Sequence, residues 1–211
     1  MKTRRGRFLV LEGLDGAGTT TQASRLCSWL AARGRKAHLT AEPSKGPVGT
    51  GIRQILSGRL LGTGGAPFDP RALALLFAAD RLDHWESEIR PNLEAGVDVV
   101  SDRYVLSSLA YQGVTTGDAP WVTAINGRAP APDLTLVLRV RPAVALRRRY
   151  AATAEREIFE VPEFQRRVHR AYGRALGGIV EAGERVVEVA GEQPVDRVAA
   201  DVARAVEKVL A

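Results

Sequence analysis

The sequence predicts an α/β fold in which five parallel strands form one sheet with helices on both faces. Three observations lead to it. An uninterrupted apolar run, Phe8-Leu9-Val10-Leu11, has no polar position, as a strand buried on both faces requires. Short β-type runs then alternate with longer helical patterns to the end of the chain, the order that builds a parallel sheet with crossover helices. The length of 211 residues suits one sizeable core and is too short for two full domains.

After the first strand come Gly13, Gly16 and Gly18, then a helix over 20–33 with Ala23, Leu26, Cys27 and Leu30 on one face. Gly34 stops that helix as a left-handed residue would. A second strand follows at 36–40. The segment 41–51, AEPSKGPVGTG, is too rich in Gly and Pro for regular structure, and a helix resumes at 52–60. A Gly/Pro connector reaches Asp69, which caps a helix opening with Pro70. That helix extends to about Ala95 and bends near Pro91. Val97, Val99 and Val100 mark the third strand, with Asp102-Arg103-Tyr104 at its carboxyl end, where ligands gather in open parallel sheets. Helices at 106–112 and 120–127, a stiff Pro-rich turn at 129–133, a fourth strand at 134–140 and a helix at 142–150 come next. The polar segment 151–162 separates these from a basic helix at 163–184, a fifth strand at 186–189 and a closing amphipathic helix at 195–210. No internal repeat is present.

The formal charge is +6, and lysine appears only at Lys2, Lys36, Lys45 and Lys208, so arginine supplies the other 26 of 30 basic residues. Arginine's planar fork suits oxyanions, although part of this bias is compositional preference. Cys27 is the lone cysteine, so no intramolecular disulfide forms and a reducing cytoplasm is expected. Its neighbours Leu26, Trp29 and Leu30 point to packing as its role. No run approaches the ~20 apolar residues of a membrane helix, and the first five residues lead into a strand without a signal-type apolar region, so no membrane partner is expected. His38, His84 and His169 lack ligand spacing, and no transition-metal site is assigned.

The chemistry concentrates in FLVLEGLDGAGTTTQ, residues 8–22. Glycines after a buried strand let backbone N–H groups curl around an anion, and the following helix aims its positive end at the same point. Against G-x-x-x-x-G-K-[ST], Gly13 and Gly18 match, Thr20 occupies the magnesium-ligand position, and Thr19 stands where lysine is required. Taken alone, such a turn could be purely structural. The strand before it and the helix after it favour a phosphate cradle formed by Gly13, Leu14, Asp15, Gly16, Ala17, Gly18, Thr19, Thr20 and Thr21. Two further stripes support a nucleotide pocket. Phe77, Arg81 and His84 share a helix face, as do Ser108, Tyr111 and Gln112. Either stripe alone would read as core or solvated surface. Together, an amide that reads a base edge and rings that stack make a nucleobase pocket. Arg147, Arg148 and Arg149 precede the segment containing Glu155, Arg156, Glu157 and Glu160, an arrangement suited to neutralising phosphoryl oxygens.

Six ordered motifs carry a family resemblance: EGLDGAGTTTQ at 12–22, Glu42-Pro43 followed by Gly49, Ile52 and Arg53, LFAADR at 76–81, DRY at 102–104, SSLAYQ at 107–112 and APDLT at 131–135. Phe159, Glu160, Phe164, Val168 and Tyr172 look like the helix after a lid. From Phe8 to about Ala175 the chain resembles the thymidylate kinases. The resemblance implies a single nucleoside monophosphate kinase-like domain over 1–211. Its fold would be the three-layer P-loop NTPase type, five parallel strands with a short lid at about 148–162. It implies ATP as phosphoryl donor, Mg2+ as cofactor, conversion of dTMP to dTDP for dTTP synthesis, and a homodimer. Asp15 would hold the sugar 3′-hydroxyl, Phe77 would stack on thymine, and Arg81 would reach base and phosphate. Ser108 and Gln112 would face the base, Tyr111 would crowd the 2′ position, Arg53 would join the acceptor site, and Arg103 would bind the acceptor phosphate. Thr20 and Asp102 would organise the magnesium. With no arginine in the loop and an arginine-rich lid, the chain looks like the lid-arginine type found in bacteria, with Arg149 and Arg156 as candidates for the transferring arginine.

Two departures stand out. Thr19 removes the usual ammonium, and Ala41 sits where the family commonly has arginine. Losing a preorganised cation at developing charge costs about 3 kcal/mol or more. Because the other motifs are intact, another cation is expected to enter, with Lys45 leading and Arg53 or a lid arginine as fallback. Two other function classes compete: a nucleotide-binding regulatory protein with little turnover, and a nucleic-acid binder using the Arg-rich helices. The second lacks aromatic-interleaved strands for a base platform, so no nucleic-acid partner is expected.

Overall fold

The computed structural model of the protein describes residues 5–152 and 161–210. Its sheet holds the strands β1 (Phe8–Gly13), β2 (Ala37–Ala41), β3 (Asp98–Asp102), β4 (Leu134–Arg139) and β5 (Val186–Ala190) in the order β2-β3-β1-β4-β5, all parallel. β1 lies at the centre, with Leu11 opposite Asp102 of β3 and Leu136 of β4. Every residue of β1 is buried, which explains its unbroken apolar run. Phe8 and Val10 pack with Ile89, Leu93 and Tyr104. Leu9 and Leu11 belong to the larger cluster with Ala23, Leu26 and Leu30. Burying side chains of this size stabilises the fold by roughly 2 kcal/mol each.

Helix α1 (Thr19–Ala31) follows the glycine turn directly, and Gly34 has the left-handed φ of 73° expected just past it. Helix α2 (Pro47–Leu56) begins five residues earlier than the sequence suggests and ends four earlier. Of the glycines that argue against helix, Gly49 is there for space. A Cβ on Gly49 would lie 2.2 Å from the Ser44 carbonyl oxygen and 2.8 Å from Asp80 Oδ1. Asp80 in turn accepts from Ser44 N and Ser44 Oγ at 2.7 and 2.6 Å, fixing the turn that feeds α2.

Asp69 caps α3 (Pro70–His84) by accepting from Arg71 N at 2.7 Å. The expected bend near Pro91 takes the form of a π-helical turn, Trp85–Ile89, before the short α4 (Arg90–Glu94). Proline lacks the N–H that would continue the α pattern, and Arg90 N bonds five residues back to Trp85 O.

Helices α5 (Val105–Thr116), α6 (Ala119–Asn126), α7 (Pro142–Ala152), α8 (Pro162–Glu181) and α9 (Val195–Leu210) complete the layers. α5 runs past Gln112 until Gly117 ends it with φ 71°. α8 buries Gln165, Val168, Tyr172 and Leu176 along one stripe. Among the described residues no helix is long and apolar enough to cross a membrane.

Candidate active site

A cavity of about 710 Å³ opens at the carboxyl end of the sheet, within the size range of nucleotide-type ligand sites. One end is the glycine turn. Gly16 and Gly18 have φ of 85° and 98°, conformations that side chains resist. A Cβ on Gly16 would also lie 2.1 Å from the Ala145 carbonyl oxygen and 3.1 Å from Arg149 N, so α7 rests directly on the tip of the turn. Asp15, Gly16, Ala17, Gly18, Thr19, Thr20 and Thr21 line the cavity. Gly13 and Leu14 lie beneath it: Leu14 is buried, and the Gly13 carbonyl accepts from Arg103 and Tyr172.

Thr20 Oγ1 donates to Asp102 Oδ2 at 2.5 Å, while Asp102 Oδ1 is buried with no partner. This orphaned carboxylate oxygen beside a hydroxyl at a helix N-terminus fits Mg2+, a hard ion that takes few protein oxygens and completes its shell with water and phosphate. Among the described residues no cluster of three His, Cys, Asp or Glu side chains gathers to hold an ion alone.

The middle of the cavity is organised by Arg103 and Glu12. Arg103 has φ 75°, a strained conformation for a non-glycine residue. Its guanidinium donates to Asp15 Oδ1 at 2.5 Å and to Gly13 O and Ser107 Oγ at 3.1 Å, above the ring of Tyr111. Glu12 is fully buried and accepts from Tyr104 N, Ser107 N, Ser107 Oγ and Tyr172 OH. Burial outweighs those donors and pushes its pKa up to about 7. Asp15 N donates to Tyr111 OH at 3.1 Å, and Gln165 Nε2 reaches Asp15 Oδ2 at 3.3 Å.

The far end is built on Arg81, which is 1 % exposed despite its charge. Glu42 Oε2 lies 2.6 Å from one of its terminal nitrogens, and the fork also reaches Asn126 Oδ1, Tyr104 O and Ser108 Oγ. Asn126 is oriented by its own bond to Val122 O. Phe77, Ser108, Tyr111 and Gln112 line the same wall. At the rim, Arg53 donates to Pro43 O at 2.7 Å and Arg148 to Gly191 O at 2.8 Å, and Arg149 also faces the cavity.

The structure therefore brings the predicted loop, acceptor and base residues around one space. It does not bring Lys45 there: the residue is exposed in the turn before α2 and does not line the cavity, because the bonds from Ser44 to Asp80 anchor that turn at a neighbouring position. Arg156 lies outside the described residues. Glu42, Asn126, Tyr104, Ser107 and Gln165 contribute contacts that the sequence reading left without roles. Only Glu42, Tyr104 and Ser107 carried a signal, as members of motifs.

A family model for thymidylate kinase matches residues 11–202. A probable thymidylate kinase of Pyrobaculum calidifontis is 37 % identical over 208 residues, covering 97 % of each chain. One of Thermococcus kodakarensis is 42 % identical over 167 residues, 78 % of this chain and 82 % of that protein, and one of Pyrococcus horikoshii is 40 % identical over 168 residues, 80 % and 82 %.

Proposed function

The chain belongs to the thymidylate kinase family, and on that premise we propose that it transfers the γ-phosphoryl group of ATP to dTMP with Mg2+, supplying dTDP for dTTP synthesis. The observation that supports this most is a single cavity with a backbone phosphate cradle at one end and a buried, oriented arginine beside Phe77, Ser108 and Gln112 at the other.

In this reading the nucleoside triphosphate lies on the glycine turn, its phosphates taking N–H groups at the start of α1. Thr20 and Asp102 would hold Mg2+, which would supply charge neutralisation at the transferring phosphoryl group. Thymine stacks on Phe77, with Gln112 and Ser108 on its polar edge and Arg81 behind. Asp15 takes the 3′-hydroxyl, Tyr111 closes the 2′ side, and Arg53 flanks the acceptor. Arg103 moves from Asp15 onto the acceptor phosphate, a short displacement for a guanidinium already in the cavity.

The cation that replaces the missing loop lysine is Arg149. Arg149 lines the cavity beside the glycine turn. Arg149 belongs to the helix whose backbone touches Gly16. The expected lid at about 148–162 lies mostly outside the described residues, its first positions being the end of α7; a closing lid would exclude water before transfer.

The protein works as a homodimer, for which Leu75 and Leu82, exposed two turns apart on α3, offer apolar surface. A reducing cytoplasm suits Cys27, whose thiol is pushed up to about 11 by burial and is therefore inert.

Purified chain incubated with ATP, Mg2+ and dTMP should form dTDP in a coupled assay, and ATP alone should be hydrolysed slowly. Tight ATP binding without any dTDP formation overturns the reading.

A further inference from the structure

His84 lies on the same face of α3 as Arg81 but takes no part in the site described above. It is completely buried, and both ring nitrogens are engaged. Nδ1 is 3.3 Å from Glu42 Oε1, and Nε2 is 2.8 Å from Thr40 Oγ1. Glu88, on the π-helical turn, continues the chain outward. Its Oε2 is 3.7 Å from His84 Nε2, it bonds the Thr40 hydroxyl, and its Oε1 is 2.7 Å from His38 Nε2 at the edge strand β2. Polar contacts thus run without a break from half-exposed His38, through Glu88, Thr40, His84 and Glu42, to the guanidinium of Arg81.

Glu42 divides its two oxygens: Oε2 takes Arg81 and Oε1 takes His84. Held by the arginine alone, the carboxylate could rotate about its terminal torsion, which is broad and has only a weak preference. A second partner on the other oxygen fixes its plane, and with it the plane of the fork it grips. π-helical turns concentrate at functional sites, and this one sits where Glu88 can brace His84.

We infer that His84 is a positioning residue for the nucleobase end of the acceptor site, setting the orientation of Arg81 through Glu42 and itself braced by Thr40 and Glu88. This rests on the reading in which Arg81 touches dTMP. The test is steady-state kinetics of the full chain with His84→Gln, Glu88→Gln and Arg81→Lys, alone and combined. His84→Gln should raise KM for dTMP roughly tenfold, the equivalent of one hydrogen bond to a charged group, with KM for ATP unchanged. Glu88 is partly exposed, so Glu88→Gln keeps the fold and should give a smaller rise of the same kind. His84→Gln placed on Arg81→Lys should add nothing further, because both changes act at one guanidinium. A dTMP KM within twofold of wild type in both folded single variants overturns the proposal. So do effects that multiply in the double variant, or KM changes shared equally by ATP and dTMP. An Arg81→Lys enzyme with unaltered dTMP kinetics instead sinks the placement of Arg81 in the substrate site.

Discussion

At the scale of single residues, Thr19 and Arg149 form a testable pair. If Arg149 supplies the charge that the loop lacks, Arg149→Ala should lower kcat by at least a hundredfold, as when an oxyanion donor is lost. Thr19→Lys should do little alone but restore most of the loss in the Arg149→Ala background, as measured by dTDP formation. Equal damage from Arg149→Ala with and without Thr19→Lys would show that the two positions do not share a task.

Glu12 makes a separate prediction about pH. Its pKa is raised from the ordinary carboxylate value to about 7, so between the two the folded state binds more protons than the unfolded chain. The contribution is therefore fully present at low pH and is lost as pH rises through about 7, by on the order of 3 kcal/mol in all. Thermal melts from pH 5 to pH 8 should show wild type losing ground against Glu12→Gln across that window and running parallel to it above. The Glu12 motif was legible in the sequence, but its protonation was not, since burial by Ser107 and Tyr172 comes from distant segments. The same holds for Asn126, which reaches Arg81 across 45 positions with no local pattern to betray it.

At the scale of elements, the alternation of strands and helices was readable because burial on both faces leaves runs such as Phe8–Leu11 of β1 without polar residues. Boundaries failed where glycine serves close approach. Gly46 and Gly49 read as helix breakers, yet α2 runs through Gly49 because Ser44 and Asp80 leave no room for a side chain there. Pro91 predicted a bend but not its type, since the π-helical turn depends on how Arg90 re-pairs its N–H. The turn between β1 and α1 is tightly constrained. Gly16→Ala would add strain at φ 85° and a collision with the Ala145 carbonyl, which is backbone and cannot swing aside. The variant should melt about 5 °C lower, corresponding to 1–3 kcal/mol of strain in a domain of this size, and bind ATP measurably more weakly by titration.

At the scale of the whole molecule, the exposed leucines of α3 are the surface on which the proposed dimer can be tested. Replacing Leu75 and Leu82 together with glutamate should convert it to a monomer by light scattering while leaving the monomer folded, since both side chains are already on the surface. A wild-type chain that is monomeric at assay concentration would remove that expectation. The overall architecture, a five-stranded parallel sheet between helices, was legible in the sequence from the alternation of strands and helices, whereas the strand order was not read from it, and an exposed leucine on one helix looks like any other in a linear pattern.

The contact between Gly16 and α7 has a practical corollary for engineering. With no space between the glycine turn and the helix above it, the two behave as one cassette. A chimera that borrows α7 and its arginines from a lysine-bearing relative, but keeps this chain's own turn, would mate surfaces shaped for different partners. Transplanting both pieces at once is the swap the geometry permits.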